Sequence, residues 1–170
     1  MATQLANIGE ICHDKGDLDK ALEHHQEALA IARETGDRWC LASNLDRIGS
    51  IYRDKGDLDQ ALKYDNEALA QAREIGHQLG VATGLGNIGL ILADRSEHEE
   101  AVPKLAEALT ILLAIGVVDG PRQTLTGLSG CEDQLGRQRL AELLKEAGRA
   151  EAAITDLFDR IDQMRMRRPD

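Results

Sequence analysis

Residues 8–36 read IGEICHDKGDLDKALEHHQEALAIARETG, and residues 48–76 read IGSIYRDKGDLDQALKYDNEALAQAREIG. The two stretches begin 40 residues apart and are identical at 19 of their 29 aligned positions. A third copy, IGLILADRSEHEEAVPKLAEALTILLAIG, occupies residues 88–116, which is 40 residues further on. Self-similarity at a fixed period of this length is the sequence signature of a repeat architecture. The chain is therefore expected to be built from repeated structural units.

Each unit has the pattern of two helices joined by a tight turn. Leu5, Ile8 and Cys12 follow the i, i+3, i+7 spacing of an amphipathic helix, as do the residues 40 positions later. Gly16 can take the left-handed conformation that ends a helix, and Asp17 is suited to cap the next one. A second helix then runs to the glycine that closes the unit. The repeats are predicted at about 2–36, 42–76 and 82–116.

The repeat resembles the tetratricopeptide repeat. Leu5, Ile8, Gly9, Cys12, Ala21 and Ala28 fall where that signature has Trp, Leu, Gly, Tyr, Ala and Ala. The period is 40 rather than 34 residues, and the usual proline near the end of the unit is absent. This longer form resembles repeats of cell-polarity G-protein regulators, kinesin light chains and bacterial signalling regulators. The resemblance implies an all-α, right-handed solenoid of stacked antiparallel helix pairs in a single array over residues 1–170.

Beyond Gly116 the pattern weakens, and two registers remain open. The 40-residue period would place Leu125, Leu128 and Gly136 in a shortened fourth unit. Alternatively, a new helix–turn–helix begins at Leu140. Both registers predict helices near 122–135, 137–147 and 149–166, with a degenerate repeat at about 122–148. The last helix is amphipathic and is expected to cap the array.

Composition narrows the class of partner. The formal net charge is −10 at pH 7, and phosphate backbones are bound by basic faces, so nucleic acid is not expected as a partner. Arg165, Arg167 and Arg168 form a short basic cluster, which we interpret as a solvated tail. Three cysteines without a Cys-x-x-Cys pair indicate reduced thiols. With no signal peptide or membrane-spanning run in the sequence, we expect a cytoplasmic protein.

No cofactor, metal or catalytic site is expected. Residues 84–89 spell G-x-G-x-x-G, but they lie inside a predicted helix, whereas a dinucleotide fingerprint follows a strand. His24 and His25 are neighbours on a helix and point about 100° apart, so they are interpreted as solvated or half-buried side chains. The protein is not predicted to be an enzyme.

The family resemblance also implies where a ligand would bind. In such repeats the first helix of each unit lines a concave groove, and the positions that would contact a ligand carry mainly polar and charged residues here. The candidate groove residues are Asn7, Glu10, His13 and Asp14 in the first unit, Asp46, Arg47, Ser50, Arg53 and Asp54 in the second, and Gly86, Asn87, Leu90 and Asp94 in the third.

Asp14, Asp54 and Asp94 form a column at the repeat period. They predict either an acidic groove suited to a segment with Arg or Lys, or helix ends at which each Asp offsets a neighbouring basic residue. The predicted function is a protein-binding scaffold that holds a peptide or helix of a partner in the groove. The alternatives are self-assembly through the N-terminal repeat, or a peptide-sensing regulatory domain of a larger signalling protein.

Overall fold

The computed structural model describes residues 1–117 and 121–166. Within these residues every element of regular secondary structure is an α-helix, so the predicted all-α fold class is confirmed. The helices are α1 Ala2–Asp14, α2 Leu18–Thr35, α3 Arg38–Asp54, α4 Leu58–Glu74, α5 Gln78–Asp94, α6 His98–Ala114, α7 Pro121–Leu135, α8 Arg137–Glu146 and α9 Glu151–Met166.

The turns within the repeats form as the sequence predicts. Gly16 and Gly56 have φ values of 78° and 79°. The carboxylates of Asp17 and Asp57 then cap α2 and α4 by accepting backbone N–H groups three residues on. The third repeat has Ser96 at the equivalent turn position, with φ 64°. A left-handed conformation costs a non-glycine residue roughly 1–2 kcal/mol, so this turn is strained where the other two are not.

The turn between repeats obeys the same rule. Gly36 ends α2 with φ 70°, and the Asp37 carboxylate caps α3 by accepting the backbone N–H of Cys40 at 3.0 Å. As a result, α3 begins at Arg38, four residues before the predicted start of the second repeat at 42. Trp39 is therefore part of the repeat.

The described chain divides into two compact units, Met1–Asn87 and Ile88–Asp170, and a single array over the whole chain stays a prediction. In the first unit α1 packs on α2, α2 on α3, and α3 on α4, which is the helix-pair packing of the predicted fold. Its core includes Leu29, Leu45 and Ile48, each at most 4% exposed, and the rings of Tyr52 and Tyr64 stack beside this cluster.

The first helix carries two exposed isoleucines. Ile8 and Ile11 are 44% and 53% exposed, whereas Ile48 and Ile51, their equivalents in α3, are 0% and 1% exposed. In the third repeat the same two positions are again buried. These two repeat positions are thus buried in the second and third repeats and exposed in the first.

In the second unit α6, α7, α8 and α9 pack on one another. Leu125 and Leu128 are buried, and Gly136 has the positive φ of the repeat turns at 81°, so the 40-residue spacing is retained to this point. Gly148, with φ 77°, makes a further turn before α9. Features of both predicted registers are therefore present.

The interpretation of the basic cluster as a solvated tail is wrong for Arg165. Its guanidinium donates to Ser129 Oγ at 3.0 Å and to Asp133 Oδ1 at 2.6 Å, which fastens α9 to α7. Arg167 and Arg168 lie outside the described residues. No helix among the described residues has the length and apolar character needed to cross a membrane.

Candidate functional site

The candidate groove residues of α1 and α3 come together in two ion pairs. Arg47 contacts Glu10 Oε1 at 2.7 Å, and His13 Nε2 lies 2.7 Å from Asp54 Oδ2. Each pair joins the first helix of one repeat to the first helix of the next. We call the surface on which these residues lie, formed by α1, α3 and α5 up to Asn87, the first-helix face.

A hydrogen bond extends this face to α5. Asn87 Nδ2 donates to Asp46 Oδ1 at 3.1 Å. Burial raises the pKa of the Asp46 carboxyl, while the positive charges of Arg47 and Arg53 lower it. Asp46 is thus a half-buried carboxylate that accepts a hydrogen bond and is under the electrostatic influence of two cations.

The other candidate residues differ in how far they reach the surface. Asn7 and Asp14 are exposed, and Ser50 and Arg53 are half-buried. Gly86 is buried and so presents little surface to a ligand. In the second unit, Asp94 is exposed and Leu90 is half-buried, with its Cδ2 close to Gly127 of α7.

In two of the three units, the basic residue that follows the aspartate of the column contacts a different acid. Asp54 contacts His13 instead, and Lys55 contacts Asp19. Arg95 contacts Glu97. The face itself nevertheless carries charges of both signs, because Arg47 and Arg53 stand among the acids.

Two buried polar side chains behind this face were not predicted. His25, interpreted from the sequence as solvated or half-buried, is 1% exposed, and its Nδ1 lies 2.9 Å from Asn44 Oδ1. Asp65, 40 residues later, is also 1% exposed. Each packs against the glycine of its own repeat, Gly9 or Gly49, where a Cβ atom would clash with it.

The carboxyl group of Asp65 has a strongly raised pKa. Burial, followed by the negative charge of Asp46, raises the pKa of Asp65 to about 7. Arg53 and Asn87 oppose the rise, and Oδ1 of Asp65 has no hydrogen-bond partner. The layer beneath the first-helix face therefore holds a carboxyl group that is readily protonated.

Two of the cavities in the first unit are lined by residues of the first-helix face. One, of about 250 Å³, is polar and is lined by Glu10, His13, Asp14, His25 and Arg47 together with Ile51. The other, of about 330 Å³, lies between α3 and α5 and includes Trp39, Asp46 and His77 in its lining. Trp39 is 58% exposed, and its ring lies 4.4 Å from the His77 ring, measured between centroids.

The first-helix face carries hydrogen-bonding and charged groups. It offers carboxylates, guanidinium groups, an amide and one exposed aromatic ring. Within residues 1–117 and 121–166, no group of three or more His, Cys, Asp or Glu side chains is arranged to hold a metal ion. The G-x-G-x-x-G stretch lies inside α5, where Gly84 packs on Leu69 and Gly89 on Leu105.

Comparison with known proteins gives one family and a set of similar folds. The family model described as tetratricopeptide repeat matches residues 1–74 and 40–114. The structure is similar to that of BtubC (BKLC) from P. vanneervenii, with a TM-score of 0.76 and 20% sequence identity over 99% of this chain. The match spans 66% of the BtubC chain, slightly less than two thirds of its length.

A second similar structure is a kinesin-light-chain-like protein of Podosopora anserina with nearly identical TPR-like repeats. It has a TM-score of 0.68 and 11% identity, and the match covers 98% of this chain and 97% of that one. At these identities the likeness concerns the fold alone. No curated protein matches the sequence of this chain.

Proposed function

Because the chain belongs to the tetratricopeptide-repeat family, whose repeats generally mediate protein–protein interactions, we propose that it binds a peptide or helix of a partner protein on the first-helix face. Proteins of this family and fold are typically non-catalytic scaffolds. The observation that carries the proposal is the convergence of polar side chains from three helices, Glu10 with Arg47, His13 with Asp54 and Asp46 with Asn87.

The ion pairs on this face suit a binding role better than a structural one. In the Glu10–Arg47 pair the two side chains are 48% and 49% exposed. Exposed pairs of this kind contribute only about 0–1 kcal/mol to stability. A ligand can therefore exchange partners with either side chain at small cost to the fold.

The arrangement of the first-helix face before a ligand binds is a second argument for a binding role. The charged groups lie on helices that already pack on one another, so little backbone entropy remains to be lost on the scaffold side when a ligand binds. Charges of both signs also allow the face to reject wrong partners by placing like charges together. Specificity would then come from the pattern of charges along α1 and α3, together with the Asn87 amide of α5.

Reversing the charge of Arg47 is expected to weaken partner binding by about thirtyfold or more. Arg47→Glu places a third acid beside Glu10 and Asp46, and loss of an interface arginine costs 2 kcal/mol or more where it is a hot spot, about thirtyfold in affinity. The measurement is quantitative mass spectrometry of proteins retained from a lysate of the source organism by the immobilised parent and by the variant.

Arg33→Glu is the matched control. Arg33 of α2 pairs with Glu67 of α4 at 3.5 Å, so this change removes an equivalent ion pair between repeats from the second helices. Proteins held by the parent and by Arg33→Glu, but lost with Arg47→Glu, support binding on the first-helix face. The opposite pattern, with loss only for Arg33→Glu, would move the binding surface to the second helices.

Self-association is a second candidate, and one observation favours it. Ile8 and Ile11 are exposed in α1, although their equivalents in α3 and α5 are buried. A second copy could cover them as a preceding repeat would. Under this alternative, sedimentation equilibrium is expected to give an average mass that rises with concentration and returns to the monomer value in Ile11→Glu. A constant monomer mass at all concentrations would rule it out.

A further inference from the structure

The cavity of about 330 Å³ between α3 and α5 has an aromatic wall and an apolar floor. The wall is Trp39, which is 58% exposed and whose ring lies against that of His77. The floor is made by Ala68 and Ala72 of α4, which are 5% and 2% exposed. The volume falls at the small end of the roughly 300–1,000 Å³ range of ligand pockets, which is suitable for one long side chain.

One carboxylate, that of Asp46, lines the same cavity. Asn87 donates to one of its oxygens, and a carboxylate can accept several further hydrogen bonds. Arg47 also lines the cavity, but its guanidinium contacts Glu10 at 2.7 Å. The positive charge of Arg47 is thus paired with Glu10. None of the described residues that line the cavity forms an ion pair with Asp46.

The charge balance beneath the cavity is negative when Asp65 is ionised. Asp46 and Asp65 interact with each other, and Arg53 interacts with both. When Asp65 is ionised, above about pH 7, two carboxylates therefore share one further cation once Arg47 is assigned to Glu10. A positively charged group in the cavity would correct this imbalance, whereas an acidic or an apolar group would increase repulsion or desolvate Asp46 without compensation.

We propose that this cavity, which we call the Trp39 cavity, binds the basic side chain of an arginine or lysine in the partner segment. Asp46 accepts hydrogen bonds from the bound cation, and the exposed part of the Trp39 ring attracts the charge through its π-face. The inference rests on the proposed function, since it assigns one subsite of the first-helix face. The partner segment is accordingly basic at the position that meets the start of α3.

The test uses the intrinsic fluorescence of Trp39, which is the only tryptophan in the chain. The purified protein is titrated with N-acetyl-arginine amide and, separately, with N-acetyl-citrulline amide, which has nearly the same shape but no charge. We expect a saturable fluorescence change with the arginine probe. The citrulline probe is expected to bind at least about tenfold more weakly, because it lacks the charge that Asp46 recognises.

Two aspartate variants distinguish the cavity from a general acidic attraction. Asp46→Asn is expected to weaken the binding of the arginine probe at least about tenfold. Asp159→Asn removes the same charge from an exposed position of α9 that lines neither cavity, and it is expected to leave the titration unchanged. Equal affinity for arginine and citrulline, or equal weakening by both variants, would overturn the assignment.

The result of the fluorescence titration can be interpreted independently of the lysate experiment, because the titration needs no natural partner. If Arg47→Glu loses its partner while the arginine probe fails to bind, the first-helix face remains the binding surface and the Trp39 cavity is not its basic subsite. If the probe binds and no lysate protein depends on Arg47, the cavity stands and the proposed function falls.

Discussion

Asp65→Asn is expected to raise the free energy of unfolding by about 2–4 kcal/mol at pH 8, and by almost nothing near pH 4. The reason is the cost of an ionised carboxylate that is 1% exposed. Burial and the charge of Asp46 raise the pKa of Asp65 from 3.8 to about 7. At about 1.4 kcal/mol for each pKa unit, a shift of this size corresponds to about 4 kcal/mol at most.

The direction of the pH dependence follows from the sign of the shift. Because the pKa of Asp65 is higher in the folded chain, the folded state binds the proton more tightly than the unfolded state. This contribution to stability is fully present below about pH 4 and is lost as the pH rises to about 7. Asparagine has nearly the same shape and no charge, so its contribution does not change over this range.

Urea unfolding at a series of pH values, followed by Trp39 fluorescence, measures the effect in the unit that contains Asp65. Asp14→Asn serves as the control, because that carboxylate is exposed and its loss is expected to change stability by less than about 0.5 kcal/mol. If the parent and Asp65→Asn lose stability in parallel between pH 4 and 8, this carboxyl does not titrate as we expect.

Gly89→Ala is expected to lower the free energy of unfolding by about 1–3 kcal/mol. A Cβ atom at this position in α5 would lie 2.7 Å from Leu105 Cγ, 2.8 Å from its Cδ2 and 3.3 Å from its backbone nitrogen. Leu105 is 0% exposed, so the methyl group would have to displace a side chain inside the core. The close approach of α5 to α6 depends on the absence of a side chain here.

Gly130→Ala is the matched control for this substitution. Gly130 is an exposed residue within α7, and a Cβ atom there would have no neighbour within 4 Å. Alanine is the better helix former by about 0.8–1.0 kcal/mol, so Gly130→Ala is expected to stabilise the chain. Thermal unfolding followed by circular dichroism at 222 nm compares the two variants. A gain in stability for both would show that Leu105 accommodates the methyl group.

The features that could be predicted from sequence are those that recur at the period of 40. Asp17 and Asp57 stand at the same place in two units, and both cap the following helix. The same rule would have placed the start of α3 at Arg38, since Asp37 follows Gly36 as Asp17 follows Gly16. That signal was present in the sequence, and it was needed to include Trp39 in the repeat.

Asp65 shows why residue type alone did not predict the buried polar groups beneath the first-helix face. An aspartate on a helix is normally a surface residue, but Asp65 lies four residues after Ala61 and three before Ala68, on the buried stripe of α4. The equivalent residue in the third repeat is the buried Leu105. Helical spacing therefore indicated burial, and only the structure shows which charges surround the carboxyl group.

The unequal burial of Ile8 and Ile11 has a consequence for the motions of the chain. In a repeat protein each unit is stabilised largely by its neighbours, and α1, whose isoleucines remain exposed, lacks part of the cover that α3 has. Local opening is expected to begin there, so the amide hydrogens of α1 should exchange with solvent faster than those of α3. A ligand that contacts Glu10 and His13 would slow this exchange, and part of its binding free energy would be spent on keeping the first helix closed.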